Sequence, residues 1–504
     1  EANRVFEYLR EMDELAELTR SAGGVVVGKS IQSKEAFDPA YLIGRGKLQE
    51  IRAEAWDTRE AYLRYVGKVA RGAADLRIHE KVFCDELTAA LERVEKIGIS
   101  LRQKDTGKIF RTKALGQPGP YAINFDGKFL KPAMAKEVKR RKCTVINRVQ
   151  VTNLYLHDGE FAGFAGWDMR TGDFYEVQAK AAVISTGNTN RMFKSQNGNP
   201  FNLWYCPANT GDLHRAAFDA GVELANVEYV RMTIVPKGFS TPGFNAFFGM
   251  GGKFVNGLGD AFMTNYHPMG DNAPRNMMVW GALQEVRAGR GPIYIDVRHL
   301  KPKDLEHLFF TLGIDKDTLP EYLMAKGYSR EGAMIEMTVS EPMQARPSEM
   351  CGSGVKIDET CASNVLGLFA AGYASDQMGC LHMCVGGGFA AGKHAAAYAT
   401  RQSGHRPLDD KMLENERKRV FEPLLRKGSI HYGEFESEHD LLLHATALYL
   451  TSRFGARTAQ NKVQFQEGKF FIFFIPTSSA VDKGPSLLRL HEALTRTLAK
   501  DLPT

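Results

Sequence analysis

Apolar side chains recur along this chain in two rhythms, every third or fourth residue and every second, and these divide it into elements. Phe6, Leu9, Leu15 and Leu18 predict a helix over 5–19, closed by Gly23-Gly24 before a Val25-Val26-Val27 strand. Residues 62–98 predict two amphipathic helices ended by Gly98, and residues 133–139 a further helix. Strand patterns cover 144–151 and 177–186, with Gly159 and Gly172 punctuating hairpin-like stretches between them. Helices are expected over 213–220, 275–288 and 302–312, a strand over 292–297, and extended chain over 336–355. Residues 232–270, rich in glycine and aromatics, show no helical period. Leu368-Phe369-Ala370-Ala371 reads as a buried strand stopped by Gly372, and Gly386-Gly387-Gly388 as the turn that opens a helix of small residues. A charged helix over 407–425, helices over 440–449 and 486–500, and a hairpin over 462–476 complete the chain. Strands alternating with helices predict an α/β sheet interrupted by an inserted lid.

Three segments carry the candidate chemistry. Residues 179–188 (AKAAVISTGN), 209–212 (NTGD) and 367–372 (GLFAAG) each place a glycine or short polar side chain at the carboxyl end of a predicted strand. Open α/β sheets bind nucleotides at such ends. The triple glycine would present free backbone N–H groups to an anion or an electron-rich ring edge, or serve only for packing. Cys380, His382 and Cys384 fall in a C-x-H-x-C pattern read as strand-like, without a second ligand pair, so no metal is expected there. Gly23, Gly28, Lys29 and Ser30 match a G-x-x-x-x-G-K-S phosphate loop literally. There the strand lies inside the loop instead of preceding it, so that match is not expected to bind nucleotide.

Composition narrows the class. A chain of 504 residues, 43% hydrophobic, can bury two to four domain cores. The formal net charge of +6 is mild; it suits an anionic substrate or cofactor but is read as an ordinary solvated surface. No basic run interleaved with aromatics points to nucleic acid. Seven cysteines, an odd number, predict reduced thiols in a cytoplasm. The N-terminus shows no signal-peptide pattern and the longest aliphatic and aromatic run, 470–476, is too short to span a bilayer, so a soluble protein is expected.

Two resemblances add to this reading. Residues 14–28 (ELAELTRSAGGVVVG) and 38–51 (DPAYLIGRGKLQEI) resemble the N-terminal domain of HflX-type ribosome-associated GTPases. That likeness covers about the first 55 residues, and no GTPase domain follows it. Residues 56 to about 435 resemble flavoprotein subunits of the succinate dehydrogenase and fumarate reductase superfamily, nearest the alpha subunit of adenylylsulfate reductase. The matching text includes Trp204-Tyr-Cys-Pro-Ala-Asn-Thr-Gly-Asp, Ala220-Gly-Val-Glu-Leu-Ala-Asn-Val-Glu, Pro274-Arg-Asn and Gly289-Arg-Gly-Pro-Ile-Tyr-Ile-Asp.

The second resemblance implies an α/β, FAD/NAD(P)-binding-type sheet with an inserted α+β capping domain. It implies FAD across the sheet, with a small anionic substrate held beneath the cap and electrons exchanged with a separate iron–sulfur subunit. By the same likeness Thr186, Gly187, Asp212 and Gly372 contact the cofactor, and Gly388 and Phe389 approach it from a helix start. Arg275 and His382 then act on the substrate. The implied boundaries are a fragment at 1–55, an FAD-binding domain at 56–231 and 346–400, a capping domain at 232–345, and a helical and hairpin region at 401–504. The family's opening strand and G-x-G-x-x-G turn have no counterpart here, so the nucleotide-binding unit is expected to be incomplete at its N-terminal side. Tyr373 stands where many members carry an acid that contacts FAD. Residues 349–354 (EMCGSG) lack the histidine-bearing M-G-G segment of fumarate reductases, which disfavours dicarboxylate chemistry. No histidine before Trp56 sits in a flavin-attachment context, so FAD is expected to be non-covalent. The other reading is a composite chain without redox activity that binds a partner, such as a ribosome, through residues 1–55.

Overall fold

In the computed structural model the described residues lie between 59 and 425, outside the gaps at 71, 104, 113–121, 124, 126, 191–205, 207–208, 228, 240–242, 317, 329–331, 341–342, 345–349 and 378–380. The expectations for residues 1–55 and for the elements beyond 425 lie outside the described residues.

Helix α1 (Arg59–Ala70) leads through Leu76–Ile78 into a π-helical turn, His79–Cys84, and then α2 (Leu87–Lys96). Helix α3 (Leu130–Arg140) follows, and then a three-stranded antiparallel meander of β1 (Val149–His157), β2 (Glu160–Asp168) and β3 (Phe174–Gln178). His157 pairs with Glu160 across a two-residue turn in which Asp158 (φ 50) and Gly159 (φ 76) are both left-handed. Asp-Gly suits such a turn, whose twist matches that of the flanking strands.

The expected strand over 177–186 divides in two. Residues up to Gln178 belong to the meander, whereas β4 (Ala182–Ile184) turns away to pair in parallel with β9 (Leu368–Ala370). These two are the only parallel strands paired among the described residues. The expected α/β sheet is therefore present as one parallel pair, and the remaining strands are antiparallel. Parallel strands need a long crossover, and here nearly everything between 184 and 368 is that crossover.

Helix α4 (Asp212–Asp219) opens the crossover. A second unit follows, built on a four-stranded antiparallel sheet in the order β6 (Lys253–Val255), β7 (Ile293–Asp296), β8 (Met334–Val339), β5 (Ile234–Pro236). Against it stand α5 (Phe244–Gly249), α6 (Arg275–Arg287), α7 (Pro302–Asp315) and α8 (Thr318–Ala325). Its buried core includes Phe247, Phe254, Phe262, Ile295, Leu308 and Leu312. A separate core, with Val82, Phe161, Leu368, Ala370, Met383 and Ala391, joins the π-turn, the meander, the parallel pair and α9 (Leu381–Arg401). Helix α10 (Asp410–Leu425) lies on the meander, Leu413 packing with Tyr155 and Ala165.

One expectation is corrected by α9. Gly386-Gly387-Gly388 do not open this helix; it already runs from Leu381, so the glycines and Phe389 lie in its second and third turns. Packing explains them. A Cβ on buried Gly386 would come 2.9 Å from the Val82 carbonyl oxygen, so the glycine lets α9 lie against the π-turn. Lys393 to Glu86 (2.9 Å) and the Arg93 guanidinium 4.8 Å above the Phe389 ring fasten the same helix to α2. His382 and Cys384 are likewise helical, not strand-like.

Opposite stability changes are expected two residues apart. Gly388 is exposed with nothing within 4 Å of an added Cβ, so Gly388→Ala should stabilise by about 0.5–1 kcal/mol through helix propensity. Gly386→Ala gains the same propensity but overpacks against a backbone carbonyl, at a cost of about 1–3 kcal/mol. Denaturant midpoints at unchanged m-value compare the two variants.

Candidate functional site

The carboxyl ends of the parallel pair gather three of the sequence segments. The Ala371 N–H donates to the Ile184 carbonyl (2.9 Å), so both strands end side by side. Beyond β4 the chain runs through exposed Ser185 and Thr186 to Gly187 (φ 82), then dives into buried Asn188, Thr189 and Asn190. Beyond β9 it turns at Gly372 (φ 66) into buried Ser375, Asp376 and Gln377. Glycine is needed at Gly187 on two counts, because a Cβ there would also sit 2.6 Å from the Asn209 side-chain nitrogen.

Buried polar side chains hold these turns together. His214, in the first turn of α4, meets the Thr189 hydroxyl through Nδ1 (3.2 Å) and the Ala374 carbonyl through Nε2 (3.1 Å). A carbonyl only accepts, so Nε2 carries the proton and Nδ1 accepts from Thr189. Burial lowers the pKa of this imidazole, which keeps that neutral tautomer. Asn190 is tied to Asn209 through backbone and to the Cys206 carbonyl through its side chain (both 2.8 Å). Asp212 heads α4 and accepts from the Thr210 hydroxyl (2.5 Å).

The floor is closed by Gln377, which donates to Asp376 (2.7 Å) and accepts from the Asp75 N–H (2.8 Å). Burial pushes the Asp376 carboxyl up to about 6, against the opposing hydrogen bonds from Gln377 and the Ile357 N–H. His79, buried beside this connection and hydrogen-bonded at Nδ1 to the Tyr62 hydroxyl (3.0 Å), is pushed by burial down to about 4. Two ionisable groups are thus both held towards neutrality under the rim.

Thr186, Gly187, Asp212 and Gly372 therefore border one rim. The approaching end of α9 is its first turn: a Cβ on Gly372 would stand 3.5 Å from Cys384 Sγ. His382, half-buried in that turn, meets Phe83 edge-on at 4.7 Å between ring centres. Gly388 and Phe389, expected at the helix start, are placed further along α9. Arg275 stands in the second unit, where it heads α6 and donates to Asn245 (3.1 Å) and Thr233 (3.5 Å). His214, Gly354, Asp376 and Gln377 were not singled out from the sequence. The one available signal for His214 was its place two residues beyond Asp212 in the NTGD segment.

A polar, glycine-bordered rim at the carboxyl ends of parallel strands, reached by helix starts, is the layout of a nucleotide-cofactor protein. A family model described as an FAD binding domain matches residues 46–393, and the chain belongs to that family, with the flavoproteins of succinate dehydrogenase and fumarate reductase. A second model, the N-terminal part of GTP-binding GTPases, matches residues 10–64. Among curated relatives, a fumarate reductase (CoM/CoB) polypeptide of Methanothermobacter marburgensis is 25% identical over 408 residues, covering 76% of this chain and 69% of the relative. The 8-methylmenaquinol:fumarate reductase flavoprotein of Wolinella succinogenes is 25% identical over 346 residues, covering 63% of this chain and only 52% of the relative. Among solved structures, a quinol-fumarate reductase with menaquinol superposes with a TM-score of 0.64 at 17% identity, covering 86% of this chain and 78% of that one. Adenylylsulfate reductase from Archaeoglobus fulgidus superposes with a TM-score of 0.58 at 21% identity, covering 73% and 63%.

FAD is the cofactor of this family and of this chain. The residues present fit a polar cofactor: exposed Thr186, left-handed Gly187 and Gly372, and half-buried Asp212 offer hydroxyl, backbone and carboxylate groups on one rim. Among the described residues no strand–turn–helix unit carries a G-x-G-x-x-G turn. No group of three or more His, Cys, Asp or Glu there could hold a metal ion, and no described helix is long and apolar enough to cross a membrane.

Proposed function

We propose that this chain is the flavoprotein part of an FAD-dependent oxidoreductase acting on a small anionic substrate. The observation that carries the reading is the meeting of residues 184–190, 209–214 and 370–377 at one rim, braced by His214. Thr186, Gly187, Asp212 and Gly372 hold the cofactor there without a covalent link. Bound FAD supplies a reversible two-electron acceptor. The second unit, residues 232–345, closes over the rim as a cap. From it Arg275 clamps an anionic oxygen of the substrate with a guanidinium that stays charged at any working pH. His382, at the first turn of α9, holds or delivers a proton. An iron–sulfur protein is the proposed electron partner. Fumarate-like and adenylylsulfate-like substrates both suit an Arg clamp; the curated relatives favour the first, while the departures at residues 349–354 favour the second.

Purified chain should show a flavin spectrum that dithionite bleaches and that fumarate or adenylylsulfate perturbs. With a reduced dye as donor, Arg275→Lys should lower turnover about a hundredfold while the flavin stays bound. Colourless protein that cannot be loaded with FAD removes the oxidoreductase reading. The match of residues 10–64 to a GTPase N-terminal model supports a second reading, contact with a partner such as a ribosome through that segment. Ribosome co-sedimentation that depends on residues 1–55 would favour it.

A further inference from the structure

The formal net charge of the whole chain is +6. Residues 131–148 alone hold seven lysines and arginines (Lys131, Lys136, Lys139, Arg140, Arg141, Lys142 and Arg148) against the single acid Glu137, which is also a net of +6. The remainder of the chain is therefore neutral in sum, and the excess is focused in one stretch. All seven cations are exposed. Glu137 is spent within the patch, bridging Arg140 and Arg141 at 2.7 Å each.

The local fold keeps this stretch on the surface. Leu130 and Ala133 pack α3 against the small core of Val94, Ile99 and Leu101. The helix then stops in a Schellman turn: the Cys143 N–H donates to the Val138 carbonyl (3.2 Å) and the Lys142 N–H to that of Lys139 (2.9 Å), with Lys142 left-handed at φ 57. Arg148 is left-handed as well, at φ 62, so residues 143–147 form an exposed strap between two basic corners. Beside the cations stand exposed apolar side chains: Phe129 is 57% exposed, Met134 41%, Val145 57% and Ile146 52%.

We propose that α3 and the 143–147 strap are a docking surface for an anionic lipid membrane, bound peripherally. Charge complementarity calls for an anionic partner, and the four apolar side chains decide which one. A nucleic-acid backbone offers phosphates but no place to bury aliphatic groups. A bilayer of anionic lipids offers both, with lysine and arginine at the headgroups and Phe129, Met134, Val145 and Ile146 at the acyl boundary. None of these residues belongs to the cofactor rim, so the surface is independent of the redox reading.

The test is sedimentation of the full chain with vesicles of phosphatidylcholine, alone or mixed with phosphatidylglycerol. Binding is expected to the mixed vesicles only, and to vanish at high salt. Lys139→Gln/Arg141→Gln/Lys142→Gln should lower the partition coefficient about a hundredfold. Val145→Ser/Ile146→Ser, which leaves every charge in place, should lower it about tenfold. Equal binding to pure phosphatidylcholine, or no binding to either vesicle, overturns the proposal. So does vesicle binding that the serine pair leaves unchanged, since that outcome describes a plain polyanion site for nucleic acid or an acidic protein.

Discussion

Gly354→Ala is expected to destabilise the chain by about 3–5 kcal/mol and to cost it its FAD. Gly354 has φ 148, and a Cβ there would lie 2.3 Å from the Ala374 carbonyl oxygen and 2.7 Å from His214 Nε2. Neither neighbour is a flexible side-chain end. The carbonyl belongs to the turn that follows Gly372, and the imidazole is held by that carbonyl and by Thr189. An alanine must push the turn and α4 apart, which separates the groups assigned to the cofactor. Gly172→Ala is the matched control: φ there is 76, but nothing lies within 4 Å of the added carbon, so only the backbone strain of about 1 kcal/mol is expected. Denaturant midpoints, and flavin retained through gel filtration, should separate the two variants. A Gly354→Ala protein as stable and as yellow as the wild type would show that the His214 strut does not organise the rim.

Glu285→Gln is expected to destabilise by about 3 kcal/mol, and the penalty should fade in acid. Glu285 is buried near the end of α6, where it accepts two hydrogen bonds from Arg290 (2.7 Å each), one from Tyr266 (2.5 Å) and one from Asn256 (2.9 Å). The Arg290 guanidinium, helped by Tyr266 and Asn256, holds the carboxyl down to about 2 against its burial. An amide keeps the shape but turns a donor towards donors and leaves Arg290 without its counter-ion. Arg290 is partly exposed and can recruit water, which keeps the cost at the lower end of the range for a broken buried pair. The sign with pH follows from the lowered pKa. In the unfolded chain the carboxyl takes up a proton near its ordinary value of 4.5, well before it does so in the fold. The wild-type advantage is therefore complete above about pH 4.5 and is lost as pH falls from there towards 2. Midpoints measured at pH 7 and near pH 3 should show the gap between wild type and variant narrowing. Because α6 also carries Arg275 at its head, turnover in Glu285→Gln reports whether anchoring one end of the helix positions the other.

Helix positions were the most legible part of the fold. The predicted helices over 275–288 and 302–312 match Arg275–Arg287 and Pro302–Asp315 closely, because the flanking Gly289 and Pro302 are stop and start signals that act within a few residues. The Asp158-Gly159 hairpin was legible for the same local reason. Strand partners were not. Nothing near Ala182 says that it will leave the meander and pair with Leu368, because that choice is made by residues far along the chain.

The candidate site divides along the same line. Residue pattern alone marked the segments 179–188, 209–212 and 367–372, since a glycine or short polar side chain after an apolar strand is a local signature, and the family likeness singled out Thr186, Gly187, Asp212 and Gly372 within them. The triple glycine was misplaced because glycine at a helix start and glycine at a helix crossing look alike in one dimension; the Val82 carbonyl facing Gly386 is what tells them apart. His214, Gly354 and Asp376 depend on burial and on partners distant in sequence, so only the tertiary structure could decide them. The sequence by itself determined most helix positions, the family likeness and the total charge. The fold decided which strands run parallel, which polar groups are buried beneath the rim, and that the basic stretch 131–148 stays exposed, because burial and contact are properties of the packed chain.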